Sequence, residues 1–404
     1  MLPQPLKVLF ITQILPNPAN PTKGVFIHKL FLGLMAYCSV RVISPQPWFP
    51  RLPRWKFLER WYEYSLIPSE YCISGLPVLS PKYPLIPKLG NFLHSFLFFL
   101  GLFSSAWALR TRFKFDLINA HWLYPDGVAA AWLARIMGVP LVLSGRGCDI
   151  NVFLFQKYKR RSILHSLRQA DRVTVVSEEL KSLLLEAGVD NERVTVIRNG
   201  IDREIFSPRD KSNCVELLGL SPRSPTILFV GRLTEEEEKG LRYLIFAIRE
   251  LVQVRKEAIL YVVGDGPMLK PYEILVKKIA LQAHIHFVGA KAHKDIALWI
   301  GACDVFCLPS IREGCPNVVL EALSCGRPVV ASRVGDVPKL VGKENGILVE
   351  PGNSHALFEA LKIAVERKWE QGEICKSVSG LSWDVAASQY YSVLYEAYSN
   401  SRFV

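Results

Sequence analysis

Short apolar runs alternating with helical stretches constrain this chain more than any other feature of its sequence. Residues 7–12 (KVLFIT) read as a strand, and residues 25–37 follow with apolar side chains at helical spacing. Further strands are expected at 40–43, 117–120, 141–144 and 173–176, with helices at 127–137 and 178–187 among them. Strands so short and so uniformly apolar are buried on both faces, which predicts a parallel sheet covered by helices. The segment 199–208 (NGIDREIFSP) interrupts this rhythm with Gly, Asp and Pro, and the pattern then restarts at 226–230, 259–263, 285–288, 305–308 and 329–331. A length of 404 residues also suits about two domains. The expected class is α/β: two Rossmann-like doubly wound domains, 1–205 and 206–382, facing across a cleft. A last helical stretch within 383–404 is expected to return to the first domain. Ligands of such sheets sit at the carboxyl ends of the strands.

Half the residues are hydrophobic, which excludes a disordered chain. Nine scattered cysteines without a CxxC pair form neither a disulfide framework nor a zinc site, and read as reduced thiols. Met1 to Pro5 lead directly into the first strand with no basic lead or small-residue cleavage site, so a cytoplasmic location is expected. Net charge is +12, and it is unevenly placed. Residues 1–205 hold 25 Lys/Arg against 14 Asp/Glu, whereas the remainder holds 24 against 23. The excess in the N-terminal half points to an anionic partner there.

Residues 91–109 are mostly apolar and barely long enough to span a bilayer. Their polar members Asn91, His94, Ser95, Gly101 and Ser105 fall within about a 120° arc. A stripe of that kind suits a surface helix packed on a domain or facing a membrane, and insertion is the alternative.

Three segments of the C-terminal half carry candidate chemistry. In Phe229-Val-Gly-Arg-Leu-Thr-Glu-Glu-Glu-Glu-Lys-Gly240, Gly231 lets the backbone approach a ligand, and Arg232 and Lys239 are two cations suited to a diphosphate. The run Glu235 to Glu238 reads as a solvated acidic surface. Gly264-Asp-Gly-Pro267 is a tight turn after a strand. In Glu313-Gly-Cys-Pro-Asn-Val-Val-Leu-Glu321, a Gly/Pro loop runs into a helix whose N-terminus is an anion site. Glu321, one turn in, suits two ribose hydroxyls, and Glu313 faces the reacting end.

Together these segments resemble the family 4 glycosyltransferases, retaining enzymes of the two-Rossmann-domain GT-B fold. Glu313 and Glu321 match their Glu-x7-Glu signature. Gly231-Arg-Leu with Lys239-Gly240, the Gly264–Pro267 turn and Gly326-Arg-Pro-Val329 match three further motifs. The N-terminal half looks closest to transferases of bacterial surface polysaccharides, including the teichuronic-acid type, through His121-Trp-Leu-Tyr-Pro-Asp-Gly127 and Ser144-Gly-Arg-Gly-Cys-Asp-Ile150.

The resemblance implies a nucleotide-diphosphate sugar as donor, with Arg232 and Lys239 on the diphosphate, Glu321 on the ribose and Glu313 on the sugar. Backbone amides of Gly314, Asn317 and Val318 would complete the pocket beside Gly231 and Gly264, with Gly24 approaching the phosphate from the opposite domain. It implies neither cofactor nor metal. Arg232 and Lys239 stand about two residues further apart than the family pattern, and Arg146 occupies the position where many relatives have a histidine. Arg146 then suits a phosphate or carboxylate near the acceptor, with His121, Asp126 and Asp149 on the same side. His121 also reads as a histidine that merely closes a strand end.

Aromatic residues interleaved with Arg51, Arg54, Lys56 and Arg60, and the cluster Lys157, Lys159, Arg160 and Arg161, suit an anionic membrane surface or a lipid-diphosphate acceptor. An ordinary packed loop is the alternative. Nucleic acid is not expected, because no binding module accompanies the charge. The expected enzyme therefore passes sugar to a glycan or lipid-linked acceptor in the cytoplasm, peripherally on the inner face of the membrane. A nucleotide-sugar epimerase and a non-catalytic sugar-binding subunit are the rival readings.

Overall fold

The first strand, β1 (Lys7–Ile11), is the centre of an eight-stranded sheet in a computed structural model that describes residues 5–50, 59–85, 93–221 and 224–401. Around it the chain adds α1 (Val25–Leu34), β2 (Ser39–Ile43), β3 (Gln46–Pro47), α2 (Glu59–Leu66), β4 (Glu70–Ile73), β5 (Leu76–Leu79) and β6 (Lys82–Tyr83). There follow α3 (His94–Phe113), β7 (Leu117–His121), α4 (Val128–Met137), β8 (Leu141–Gly145), α5 (Cys148–Asn151) and α6 (Lys157–Gln169). This half ends with β9 (Arg172–Val175), α7 (Glu178–Glu186) and β10 (Val194–Val196). The strand order is β10-β9-β8-β7-β1-β2-β5-β4, parallel except for the antiparallel β4–β5 edge. The chain leaves β1 toward β2 on one side and returns to pair β7 on the other, so the topological switch lies between β1 and β7.

The second half contains α8 (Lys211–Leu217), β11 (Thr226–Val230), α9 (Leu241–Val254), β12 (Ile259–Val263), α10 (Leu269–Lys278), β13 (Ile285–Gly289) and α11 (His293–Ala302). It continues through β14 (Val305–Leu308), α12 (Asn317–Ser324), β15 (Val329–Ser332), α13 (Val337–Leu340), β16 (Gly346–Val349), α14 (Ser354–Glu366) and α15 (Gln371–Lys376). Its six parallel strands run β13-β12-β11-β14-β15-β16, with the switch between β11 and β14. Helix α9 shows why these elements dock: Leu241, Leu244, Ile245, Ile248, Leu251 and Val252 are buried at helical spacing against the sheet.

The chain divides into two units, 1–200 with 383–404, and 201–382. The division falls after Gly200 rather than at 205, because Ile201 already pairs with Ser382 in the second unit. The last helix, α16 (Trp383–Ser399), belongs to the first unit and packs on α1. Tyr390 anchors it: its ring is buried, and its hydroxyl is hydrogen-bonded to Ser144 at the end of β8 and to Thr174 of β9.

Helix α3 departs from the usual pattern of a surface helix. Its inner face is mixed: Ser95, Phe98, Leu102 and Ala106 are buried, and the Tyr83 hydroxyl and His94 Nε2 lie 3.1 Å apart in a hydrogen bond. Burial pushes the His94 imidazole down to about 4, so this inner face carries no charge. A Cβ on Gly101 would sit 2.5 Å from the Cβ of Tyr83, so only glycine lets β6 approach this closely. Among the described residues no helix is long and apolar enough to cross a membrane. The basic and aromatic residues at 51–58 lie outside the described residues.

Gly264, just after β12, has φ +148, where side chains are strongly disfavoured, and a Cβ there would lie 1.9 Å from the Gly231 carbonyl oxygen. Gly264→Ala is expected to destabilise the second unit by about 2 kcal/mol or more, read as a lower urea midpoint.

Candidate active site

In the second unit the sequence motifs converge on the switch between β11 and β14, where the two chain directions diverge and leave a crevice beyond the strand ends. Gly231 and Arg232 follow β11, and Gly231 N–H donates to the Val263 carbonyl at the end of β12 (3.0 Å). Leu233 N–H donates to Asp265 O (3.0 Å) and Met268 N–H to Leu233 O (3.1 Å), which lashes the Gly264–Pro267 turn to the β11 loop. Arg232 is exposed, and among the described residues its side chain makes no recorded hydrogen bond or ion pair.

Lys239 turns back instead. Its Nζ lies 2.7 Å from Oε1 of Glu313, and the Ser310 hydroxyl donates to the same oxygen (2.6 Å). The pair is partly buried, with Glu313 only 8% exposed in its side chain and Lys239 30%. A pair still in contact with water on its lysine side contributes little to stability, but the two donors on one carboxylate oxygen hold both groups in place.

The long loop that carries Lys239 is anchored. Ile311 N–H donates to Glu238 O (2.7 Å), and the Glu238 carboxylate lies 3.5 Å from Arg312. Glu238 therefore departs from the solvated acidic run expected of residues 235–238, because the loop folds onto the β14 loop instead of standing away from it. The loop turns at 235–236 and again at 238–239, with Glu237 between them at φ +49.

Helix α12 begins at Asn317 and Val318 behind Pro316, with no acid in its first turn, so its positive end is open to an anion. Gly314 just before it accepts from Asp336 N–H (2.9 Å), which fixes the loop. Glu321 is buried, and its Oε1 lies 2.9 Å from Nε2 of His293, the first residue of α11. The Phe206 ring stands edge-on to His293 at 4.8 Å.

His293 and Ser310 are not among the residues the sequence pointed to, for different reasons. Ser310 lies three residues before Glu313, within reach of a local argument, whereas His293 is 28 residues from Glu321 and meets it only because β13 and β14 deliver α11 and α12 to one edge.

In the first unit the residues expected near an acceptor also gather beyond the strand ends. His121 closes β7 and is fully buried, stacked on Tyr390 (5.6 Å, 14°) with the Phe31 ring edge-on at 5.0 Å. Its Nδ1 accepts from Arg146 Nη2 (2.8 Å) and Nε (3.2 Å), which places the ring proton on Nε2. Burial, and then the adjacent Arg146 charge, holds His121 well below the usual histidine range. Arg146 also donates to Asn199 Oδ1 (3.1 Å), so three bonds aim its guanidinium.

Asp126 accepts from Gln13 N–H (2.6 Å) and Gln13 Nε2 (3.0 Å). Asp149 accepts from the backbone N–H groups of Leu123 (2.9 Å), Arg146 (3.0 Å) and Gly147 (2.8 Å). Both carboxylates are buried, and their hydrogen bonds tie the β1, β7 and β8 loops together. Gly24 precedes α1 at φ +66, where a Cβ would lie 2.5 Å from Ile14 O.

Burial raises Asp126 to about 7 from 3.8, against the opposing Gln13 hydrogen bonds. A carboxyl raised on folding adds stability that is complete below 3.8 and is lost as pH rises through about 7. Asp126→Asn lacks this dependence. Its melting temperature relative to the parent chain is expected to climb steadily over that window, as followed by thermal melts in a pH series.

Comparisons with known proteins identify the family and the fold. Residues 73–205 match the family model described as Glycosyltransferase Family 4, and residues 224–367 the one described as Glycosyl transferases group 1. The chain is 30% identical over 360 residues to TuaC of Bacillus subtilis (strain 168), a glycosyltransferase assigned to teichuronic acid biosynthesis, covering 88% of each protein. It is 28% identical over 272 residues to the Escherichia coli UDP-Gal:alpha-D-GlcNAc-diphosphoundecaprenol alpha-1,3-galactosyltransferase, covering 64% of this chain and 68% of that one. Among solved structures, sucrose-phosphate synthase from Thermosynechococcus elongatus superposes with a TM-score of 0.79 at 20% identity, over 98% of this chain and 100% of that one. Anabaena HepE in complex with UDP gives 0.73 at 23%, over 97% and 100%. At these identities the structural likeness is one of fold. Fold, motifs and the extent of the sequence match agree: the chain is a glycosyltransferase of family 4, group 1, with the two-Rossmann-domain GT-B fold.

Proposed function

We propose that this enzyme moves a sugar, with retention of anomeric configuration, from a nucleotide-diphosphate sugar to a glycan or lipid-linked acceptor in cell-surface polysaccharide synthesis. The observation that carries the reading is the Lys239–Glu313 pair bridging the β11 and β14 loops, with the α12 N-terminus beside it and Glu321 one turn further in. HepE, which shares the fold, has been solved with UDP, with UDP and glucose, and with UDP-glucose. The B. subtilis relative is assigned to teichuronic acid, and the E. coli relative acts, by its name, on a diphosphoundecaprenol-linked sugar.

In this reading Arg232, Lys239 and the positive end of α12 neutralise the donor diphosphate, more strongly as it departs. Amides of Gly314, Asn317 and Val318 close on the phosphate and sugar, and Gly231 and Gly264 leave room for them. Glu313 orients the sugar hydroxyls, already held by Lys239 and Ser310. Glu321 takes the ribose, and His293 keeps its carboxylate turned for that contact. The acceptor hydroxyl attacks from the face the phosphate leaves, and the departing phosphate takes its proton, so no side chain acts as a strong base. Positioning and leaving-group stabilisation supply the rate.

On the acceptor side the role narrows to Arg146. Asp126 and Asp149 shape the loops around it, and neutral His121 positions its guanidinium for an anionic group.

Arg232→Ala is expected to lower turnover by about 10²- to 10³-fold with modest change in donor affinity. A retained parental rate would remove the assignment. Glu321→Ala is expected to weaken donor binding by about tenfold or more, measured by calorimetry with the nucleotide sugar. Absence of any nucleotide-sugar binding would favour the non-catalytic reading, and turnover of the donor without an acceptor the epimerase reading. Arg146→Gln should raise the acceptor KM and leave the donor KM unchanged.

A further inference from the structure

The face of α3 turned to the domain carries Ser95, Phe98, Leu102 and Ala106, and a second set of large apolar side chains is left outside. Leu93 (51% exposed), Phe96 (47%), Leu100 (49%) and Trp107 (54%) recur at spacings of three, four and seven residues. At 3.6 residues per turn they fall within roughly 60° of arc, a continuous ridge. Ser95, Phe98, Leu102 and Ala106 already satisfy the packing of this helix on the opposite side. Large apolar groups aligned in water are costly, and a contiguous ridge of them marks a contact surface.

The charge around the ridge selects the partner. Arg110 and Arg112 lie in the last turn of α3 and Lys114 caps it, with Arg112 and Lys114 exposed. No Asp or Glu occurs between Glu70 and Asp116. Helix α4, on which α3 packs, exposes Ile136 and Arg135, and α6, which packs on α4, exposes Lys157, Tyr158, Arg160 and Arg161. A second copy of the chain would bring the same positive sign with no carboxylate on this helix to answer it. A lipid headgroup layer supplies both negative charge and an apolar interior.

We propose that the outer face of α3 docks this enzyme on an anionic bilayer surface. The helix lies in the plane of the interface, with Leu93, Phe96, Leu100 and Trp107 among the upper acyl chains and Arg112 and Lys114 at the phosphates. This inference does not rest on the sugar-transfer reading, since docking is measured without donor or acceptor.

The test is vesicle flotation of the full chain with phosphatidylcholine vesicles and with vesicles enriched in phosphatidylglycerol. The parent chain is expected to float with the anionic vesicles and far less with the zwitterionic ones. The triple variant Phe96→Ser, Leu100→Ser, Trp107→Ser should partition at least about tenfold more weakly. Arg112→Ala and Lys114→Ala should each weaken binding about fivefold, an effect that fades as salt is added. All five side chains are at least partly solvent-exposed, and a thermal melt of each variant verifies the fold. Failure of the parent chain to float, or flotation of the triple variant at the parental level, overturns the proposal. So does a parental dimer by light scattering that the triple variant loses without any vesicle binding.

Discussion

The second sheet parts between β11 and β14, and the ion pair from Lys239 to Glu313 spans the loops on either side of that division. The arrangement around it depends on holding these loops together. Glu238 tethers the long β11 loop to Ile311, Ser310 shares the carboxylate of Glu313, and the Gly264–Pro267 turn is lashed beneath through Gly231 and Leu233. The pair itself adds little to global stability, because Lys239 remains in contact with water. Its value is positional. A cation and a carboxylate already in register need little reordering when a charged ligand arrives, which is the economy that preorganised sites exploit.

The first sheet uses its own switch point differently. There the carboxylates are turned inward: Asp126 holds the β1 loop through Gln13, and Asp149 gathers three backbone amides of the β7 and β8 loops. What stays available is Arg146, aimed by a buried neutral imidazole and by Asn199. A positively charged group backed by neutral partners differs from one already matched by a carboxylate, because its field is left for a ligand. The two switch points thus carry complementary chemistry, a compensated cation–carboxylate pair in one and a neutral-backed guanidinium in the other.

Much of this was legible in the sequence. The strands at 7–11, 117–121, 226–230 and 305–308 were readable because buried parallel strands are short, apolar and bounded by loop residues. That Glu313, Glu321, Lys239 and Gly264 gather at one end of the second sheet was readable because they stand in loops and a helix start that directly follow parallel strands. Contacts between distant segments were not. His293 on Glu321, Tyr390 on Ser144 and Thr174, and Gln13 on Asp126 join residues that nothing in local spacing connects. Within the acidic run, Glu235 and Glu236 are exposed as expected, and Glu238 was misread for the same reason, since a loop's own composition does not disclose the backbone it will meet.

Helix α3 separates the two kinds of information most clearly. Periodicity determined which of its residues share a face, because 3.6 residues per turn is a property of the backbone alone. Which face turns inward was decided by tertiary structure: β6 approaches so closely at Tyr83 that Gly101 must lie against it, with His94 and Phe98 on either side of the Tyr83 ring. The sequence by itself determined two α/β repeats and the chemistry of the loops that end their strands. The folded arrangement alone decided that Lys239 reaches Glu313, that Arg146 is aimed by His121, and that α3 keeps its apolar ridge outside. Each of these depends on the distance between segments that only the packing of the sheets brings together.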